Sequence, residues 1–498
     1  MTSDTAYDVV VVGAGNAALC AALAAREAGA RVLVLEKATR EERGGNTFFT
    51  GGGFRFPYRG IDDIRALIPD LSEDEVAGIE VGAYTEADMR ADLMRVTEGL
   101  ADPGLVDQLV GNGYATVQWM RERLGMRWVL MYGRQAYRVE GKLRFWGGMI
   151  TEAVGGGEGL SEALFHAAGE QGVEVRYGTK AVSLVTNQRA AVTGIRVRDD
   201  DGFAEIATPA VVIAAGGFEA NVEMRTRYLG PGWEMAKVRG TRHNTGDGIR
   251  MALDIGAQPY GHWSSAHAVA WDLNAPPTGN RRIGDLYQKH SYPLGLIVNI
   301  NGDRFVDEGA DLRNYTYAKY GREILKQPHS AAFQLFDQQT VAMLRDEYRI
   351  REVSKGEADT IGGLADSLGI DRAGLERTVA AYNAACRPGT FNPAERDGLA
   401  TVGVDPPKSN WALPLNQPPY VGFAVTCGIT FTFGGLRIMP RTGQVLDTED
   451  RPIAGLYAAG ELVGGLFFHN YAGGSGLMSG AVFGRTAGAA AAQAALGE

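Results

Sequence analysis

Hydrophobic and polar positions near the start of the chain fall into two kinds of segment. Tyr7 to Val12 is an apolar run of the kind a parallel strand shows when both faces are buried, and Ala17 to Ala28 is rich in Ala and Leu, the composition of a helix. Arg31 to Leu35 reads as the next strand, so the three segments predict a βαβ unit with a ligand at the carboxyl ends of its strands. Val173–Tyr177, Val192–Val197 and Val211–Ala214 read as strands of a sheet segment completing the first domain, separated by the turn-rich Asp199-Asp200-Asp201-Gly202. From about Gly261 aromatic residues, histidines and prolines become denser, which predicts an inserted region of loops and isolated helices. Within it, Asp371 to Cys386 is a helix with an Asp N-cap, stopped by Pro388-Gly389, and the proline-heavy Asp405 to Pro419 reads as the return crossing. Gly435–Met439 and Gly455–Ala459 resume strand character. The Ala- and Gly-rich run Gly476 to Gly497 carries Arg485 and Gln493, which favours a core helix over a membrane span. The expected fold class is therefore α/β: a Rossmann-like domain built from residues 1–260 and 421–498, interrupted by an α+β capping domain over residues 261–420.

Composition narrows the function. A chain of 498 residues that is 45% hydrophobic and carries a net charge of -10 is an ordinary globular protein, without the basic face that nucleic acid requires. The three cysteines, Cys20, Cys386 and Cys427, are far apart and form no Cys-x-x-Cys, which argues against iron–sulfur or haem attachment. No pair of residues shows metal-ligand spacing, so no metal is expected. The polar leader Met1 to Ala6 has no basic n-region, and the expected location is the cytoplasm. The total of 68 glycines without a short repeat points to tight turns and to backbone that approaches a ligand closely.

The glycines fall in clusters with chemistry attached. Gly13-Ala14-Gly15-Asn16-Ala17 lies between the first strand and helix, where backbone N–H groups and the helix dipole face a pyrophosphate. Glu36, followed by Lys37, closes the second strand, where a carboxylate accepts from ribose hydroxyls. Gly44-Gly45-Asn46-Thr47 and Gly51-Gly52-Gly53 add a backbone-lined path with an amide and a hydroxyl suited to an isoalloxazine edge, which a nicotinamide site does not need. Ala215-Gly216-Gly217, Asn244-Thr245 with Asp247, and Gly460-Glu461 follow at strand ends and turns. Gly474-Ser475-Gly476-Leu477 opens the last helix, whose N-terminus favours negative charge.

The motifs RGGNTFFTGGG, VRGTRHNTGDGIRMALDIGA, RFVDEGADLRNYTYAKYG, GLYAAGELVGG and FFHNYAGGSGL resemble those of the fumarate reductase and succinate dehydrogenase flavoprotein superfamily over nearly the whole chain, with tricarballylate dehydrogenases the nearest likeness within it. This resemblance implies a GR2-type flavoprotein that binds FAD, with substrate held between the FAD and capping domains. It also implies FAD contacts near Ala14, Glu36, Asn46, Thr47, Gly52, Gly53, Val182, Asp247, Glu461 and Leu477. Members with covalent FAD carry a histidine where this chain has Phe48 and Phe49, so the expected FAD is non-covalent.

The resemblance places Arg313 where the family's proton-delivering arginine is expected and His267 at its first substrate histidine. Gln288, His290 and Tyr292 replace the family's Glu-x-x-Arg relay, Phe431 and Phe433 stand in the His-Thr-Met-Gly-Gly segment, and Tyr471 takes the place of the clamp arginine, near His469. The implied site is less cationic and more aromatic than a fumarate clamp. The candidate catalytic residues are thus Arg313, His469, Tyr471, His267, His290 and Tyr292, acting on a CH–CH or C=C bond beside a carboxylate. Two other readings stand beside this one. Asn470-Tyr471 also looks like a segment of 3-ketosteroid Δ1-dehydrogenases, which implies a ketone substrate, and a flavoprotein electron-transfer subunit without its own substrate is the third. Each requires a separate electron acceptor: a membrane-associated iron–sulfur protein, a quinone or oxygen.

Overall fold

The structure is a computed structural model that describes residues 7–497; the leader Met1 to Ala6 lies outside the described residues. Strand β1 (Val9–Val12) is buried along its whole length and is followed by helix α1 (Asn16–Glu27) and strand β2 (Val32–Leu35), which is the expected βαβ unit. β1 pairs in parallel with β2 on one side, Val12 opposite Leu35, and with Ala210–Ile213 on the other, Val12 opposite Ile213. Glu174–Arg176 adds beyond β2, while Pro452–Ala458 and the antiparallel Gln444–Leu446 complete six strands on the other side. The strand order reverses at β1, so the crevice at its carboxyl end, beside Gly13, Glu36 and Ala214, is where the topology places a ligand.

The final helix, Ser475–Leu496, packs along α1. Its Gly484 and Gly488 face the backbone of α1 so closely that an added Cβ would lie 2.4 Å from the Ala17 carbonyl oxygen and 2.0 Å from that of Ala21. Among the described residues no helix is long and apolar enough to cross a membrane.

Of the other expected strands, Val192–Asp199 is the middle of a separate antiparallel sheet, between Lys180–Thr186 and Gly202–Ala207. Only two residues separate it from Gly202, a spacing that favours a hairpin over a crossover. The region after Gly261 is not mainly loops: Pro259–Asp272 is a 14-residue strand, antiparallel to the 17-residue strand Tyr420–Leu436. Lys237–Val238, Ala331–Phe336, Leu296–Val298 and Lys355–Ala358 extend this second sheet. Tyr420–Leu436 is buried almost throughout, so it lacks the alternation of polar and apolar positions that marks a half-exposed strand. The helix expected at Asp371–Cys386 is present as Arg372–Ala385, with the Asp371 carboxylate accepting from Gly374 N–H.

Candidate active site

A long cavity, with an empty volume of about 1710 Å³ that includes its opening to solvent, runs from the carboxyl end of β1 to the second sheet. At its first end lie Gly13, Ala14, Gly15, Asn16 and Ala17. Gly13 has φ +101°, and a Cβ there would sit 2.5 Å from the Ala214 carbonyl oxygen, so this turn needs glycine twice over. Gly15 caps α1 without a side-chain acceptor, and the first helical residue, Asn16, donates its N–H to Thr47 Oγ1 at 2.8 Å and its Nδ2 to the Leu477 carbonyl at 2.8 Å. Glu36 is only 7% exposed; burial lifts its carboxyl pKa, opposed by the Ala38 N–H and by the charges of His243 and Lys37. Lys37 binds Thr245 Oγ1 and Asp247 Oδ2, each at 2.7 Å. Burial alone would raise the Asp247 carboxyl, but Lys37, with Lys180 and Thr245, holds it well below the usual range.

Along the middle, Gly45, Asn46, Thr47, Gly51, Gly53, Ala215, Gly216, Asn244, Gly460, Glu461, Gly474, Gly476 and Leu477 line the wall. Asn46 Nδ2 donates to Glu219 Oε1 and to the Thr430 carbonyl at 2.7 Å, and Asn244 Nδ2 donates to Glu219 Oε1 at 2.6 Å and to Glu461 Oε2 at 3.3 Å. The Thr432 N–H reaches Glu461 Oε1 at 2.9 Å. Burial raises both carboxyls, Glu461 the more strongly because Glu219 stands beside it, so the pair retains a proton that neither would keep in water. Glu219 follows the Ala215-Gly216-Gly217 turn by two residues and was not foreseen; only its position just past a strand end hinted at it.

Six expected cofactor residues do not line the cavity. Gly44 and Gly52 pack against helix Gly156–Glu170: a Cβ would meet Ser161 Oγ at 2.4 Å and the Gly156 carbonyl carbon at 2.6 Å. A Cβ on Gly217 would meet Glu461 Oε1 at 2.0 Å, Thr245 sits behind Asp247, and Ser475 turns its hydroxyl to the Ala472 carbonyl at 2.5 Å. Val182 is exposed, whereas Ala181, one residue earlier on its strand, lines the wall, because successive side chains point to opposite faces.

Four of the six candidate catalytic residues meet at the far end: His267, His290, Arg313 and Tyr471. His267 lies opposite Phe431 in the second sheet, and the register shifts immediately after it; such a bulge re-aims a side chain. Its ring stacks on Phe431 at 5.1 Å and meets Tyr317 and Tyr471 edge-on at 5.0 and 4.8 Å. Burial holds both imidazoles far below their ordinary pKa, helped by Arg239 at His267 and Arg313 at His290, so both are neutral. His290 Nδ1 accepts from Arg313 Nη1 at 3.4 Å, which leaves its hydrogen on Nε2. His290 Nε2, His267 Nδ1 and Arg313 Nε are buried and have no hydrogen-bond partner among the described residues. Burial, then the charge of Arg345, brings the Arg313 pKa down to about 10. The Tyr471 hydroxyl accepts from the N–H groups of Gly474 and Gly476 at 2.9 and 3.1 Å, at the start of the final helix.

Tyr292 and His469 stand apart. Tyr292 is fully buried with its hydroxyl 2.6 Å from Thr316 Oγ1, and His469 has φ +57°, donates its N–H to His262 Nδ1 at 3.0 Å and packs edge-on against that ring.

Arg134 and Arg239, absent from the expected set, line the same end and add cationic groups to it. Both bind Asp285: Arg134 Nη1 at 2.6 Å to Oδ2, Arg239 Nε at 3.0 Å and also Nη2 to Oδ1. Gln288 Nε2 donates to Asp285 Oδ2 at 2.8 Å. Burial opposes the charge on Arg134, but Asp285 and Glu347 outweigh it and keep the group protonated. Arg134 lies outside every motif quoted above, and Arg239, although it stands near the start of the VRGTRHNTGDGIRMALDIGA segment, carries no expected role there.

The residues fit FAD: glycine-lined backbone and an uncapped helix start meet the diphosphate requirement, Glu36 the ribose, and Asn46, Thr47 and Leu477 the stretch between them. The chain matches the FAD binding domain family over residues 8–477. It is 33% identical to a probable fumarate reductase, Ifc3, of Shewanella frigidimarina, over 98% of this chain and 75% of that protein. Among solved structures, the open conformation of a flavocytochrome c3 fumarate reductase superposes with a TM-score of 0.72 at 29% identity, covering 99% of this chain and 79% of the other. The 3-ketosteroid Δ1-dehydrogenase of Sterolibacterium denitrificans shares the fold, with a TM-score of 0.73 at 22% identity over 99% of this chain and 100% of that one. With a glycine-lined groove, a buried acid at the ribose position and these likenesses in hand, the chain belongs to the FAD binding domain family and is an FAD-dependent oxidoreductase of carbon–carbon single or double bonds.

Proposed function

We propose that the protein oxidises or reduces the carbon–carbon bond next to a carboxylate in a small substrate, with Arg313 carrying the proton. One observation supports this above the others: three guanidinium groups, Arg134, Arg239 and Arg313, surround the far end of the cavity with one lining carboxylate, Asp285, between them. Buried charge of one sign is costly, by several kcal/mol per uncompensated ion, and an anionic substrate relieves it. When bound, FAD supplies the two-electron centre that takes up or returns a hydride. In the oxidative direction Arg313 takes the α-proton as the β-carbon gives up its hydride; in the reductive direction it returns that proton. Neutral His290 donates from Nε2, and donors aimed at the developing enolate are typically worth ~3–4 kcal/mol each. Phe431, Phe467, Tyr317 and Tyr471 exclude water from the reacting bond. The tricarballylate likeness makes a tricarboxylate the first compound to try. Anaerobic mixing with succinate, tricarballylate and other saturated acids bleaches the yellow flavin if the reading holds; an unresponsive flavin with every acid, in either direction, removes it and favours an electron-transfer subunit.

A second reading rests on Tyr471. Two backbone N–H groups occupy its acceptor positions and its hydroxyl also shares a hydrogen bond with Tyr317, a tyrosine pair that can polarise a ketone, as in the ketosteroid dehydrogenase reading. Flavin bleaching by a 3-ketosteroid and none by acids would select it. In both cases electrons leave to a separate acceptor, which we propose is a protein iron–sulfur centre, a quinone or oxygen; the location we propose is the cytoplasm.

A further inference from the structure

The far end of the cavity contains more cationic machinery than proton transfer requires. Arg313 alone accounts for the proton, yet Arg134 and Arg239 also face the cavity, drawn from parts of the chain that are remote in sequence. Their positions are built rather than incidental. Gly51 admits Arg134, because a Cβ at residue 51 would lie 2.3 Å from Arg134 Nη1. The Arg134 carbonyl in turn accepts from Arg313 Nη2 at 2.9 Å, so one residue positions the backbone partner of the proton carrier and presents a second guanidinium beside it. Arg239 is held from three sides: by Asp285, by Thr430 Oγ1 at 3.2 Å from its Nη1, and by the Trp271 ring, whose centroid is 5.8 Å from its Cζ. Asp285 neutralises one of the two, leaving a net positive charge facing the cavity. The unpartnered ring nitrogens of His267 and His290, each at least 98% buried, point independently to a polar ligand in the same place.

We infer that Arg134 and Arg239, set by Asp285, are the specificity-determining residues that seat the substrate's carboxylate, in place of the clamp position that Tyr471 occupies. The inference rests on the carboxylate reading above. It assigns the division of labour: Arg313 handles the proton, the Arg134–Asp285–Arg239 pair binds the charge, and Tyr471 with Phe431 contacts the uncharged body of the substrate.

The test measures binding rather than turnover. Oxidised holoenzyme is titrated with fumarate, aconitate and cinnamate, unsaturated acids that cannot reduce the flavin, each against its primary amide, and dissociation constants are read from the spectral shift of the oxidised flavin. In the unaltered enzyme at least one acid binds about tenfold or more tighter than its amide, the discrimination expected of charge-assisted hydrogen bonds. Arg134→Gln and Arg239→Gln each lower that ratio by roughly tenfold with FAD content and Tm retained, and Arg239→Lys recovers part of it. If both glutamine variants keep the full acid-to-amide ratio, the two arginines are structural ties and the inference is overturned, while the carboxylate reading survives. If the unaltered enzyme shows no preference for any of the three acids, the carboxylate reading falls and takes this assignment with it. Should a glutamine variant lose FAD or unfold, the lysine variant at the same position decides by the same ratio.

Discussion

A guanidinium in water stays charged up to about pH 12 and is useless as a base at neutral pH. At Arg313 burial and the neighbouring Arg345 lower that value to about 10, which brings the neutral form within reach of a reaction. The sign follows from the role: oxidation needs Arg313 neutral, so its rate constant rises about tenfold per pH unit up to about 10, whereas reduction needs it charged and falls above that point. Stopped-flow flavin reduction across pH 7–11 measures it, and a flat profile removes Arg313 from proton transfer. Arg313→Gln is expected to cut turnover by ~10²–10⁴ while leaving FAD content unchanged. Stability should respond to the two buried histidines in the opposite way. Their folded pKa values lie well below the ordinary 6.5, so below pH 6.5 the unfolded chain binds protons that the folded chain refuses, and stability falls as pH drops. In His267→Asn this acid slope should be shallower, by thermal melting from pH 7 to pH 5.

At the scale of elements, the contact between α1 and the final helix is made by glycine. Replacing Gly by Ala in an exposed helix gains up to ~1 kcal/mol, but overpacking a tight contact costs ~1–3 kcal/mol. With only 2.0 Å between a Cβ at residue 488 and the Ala21 carbonyl oxygen, the second effect wins. Gly488→Ala is predicted to lower Tm by several degrees and weaken FAD binding, since both helices begin at the cavity; a higher Tm would show the interface to be softer than its geometry. The same element scale shows what was legible. β1, α1 and β2 announce themselves because a buried parallel strand, a glycine turn and an Ala-rich helix each have a local pattern. The strand Pro259–Asp272 does not, because residues such as Gly261, His262 and Ser265 interrupt the apolar run, and two register shifts break its period.

Across the whole molecule, the cofactor groove was readable and the substrate end only partly so. Glycine turns carry their ligand's signature in adjacent residues, whereas Arg134, Arg239 and Asp285 acquire meaning only when the fold brings the helix Tyr132–Gln135, the end of strand Lys237–Val238 and the turn Gly284–Tyr287 to one point. His267 and Arg313 were found by family likeness. His469 and Tyr292 came from the same likeness, but the first pairs with His262 and the second with Thr316, away from the cavity. Non-covalent attachment is predicted at this scale as well, because Phe48 and Phe49, both buried, offer no nucleophile beside Gly51. Acid precipitation should leave yellow FAD in the supernatant, and a yellow pellet would contradict it.

Tyr420–Leu436 carries Phe431 against the ring of His267, and the next residue, Thr432, gives its amide hydrogen to Glu461. Adjacent residues of one rigid rod thus touch two separate compartments. A shift of the strand that moved Phe431 would therefore also move the amide that Glu461 accepts from, one peptide unit away.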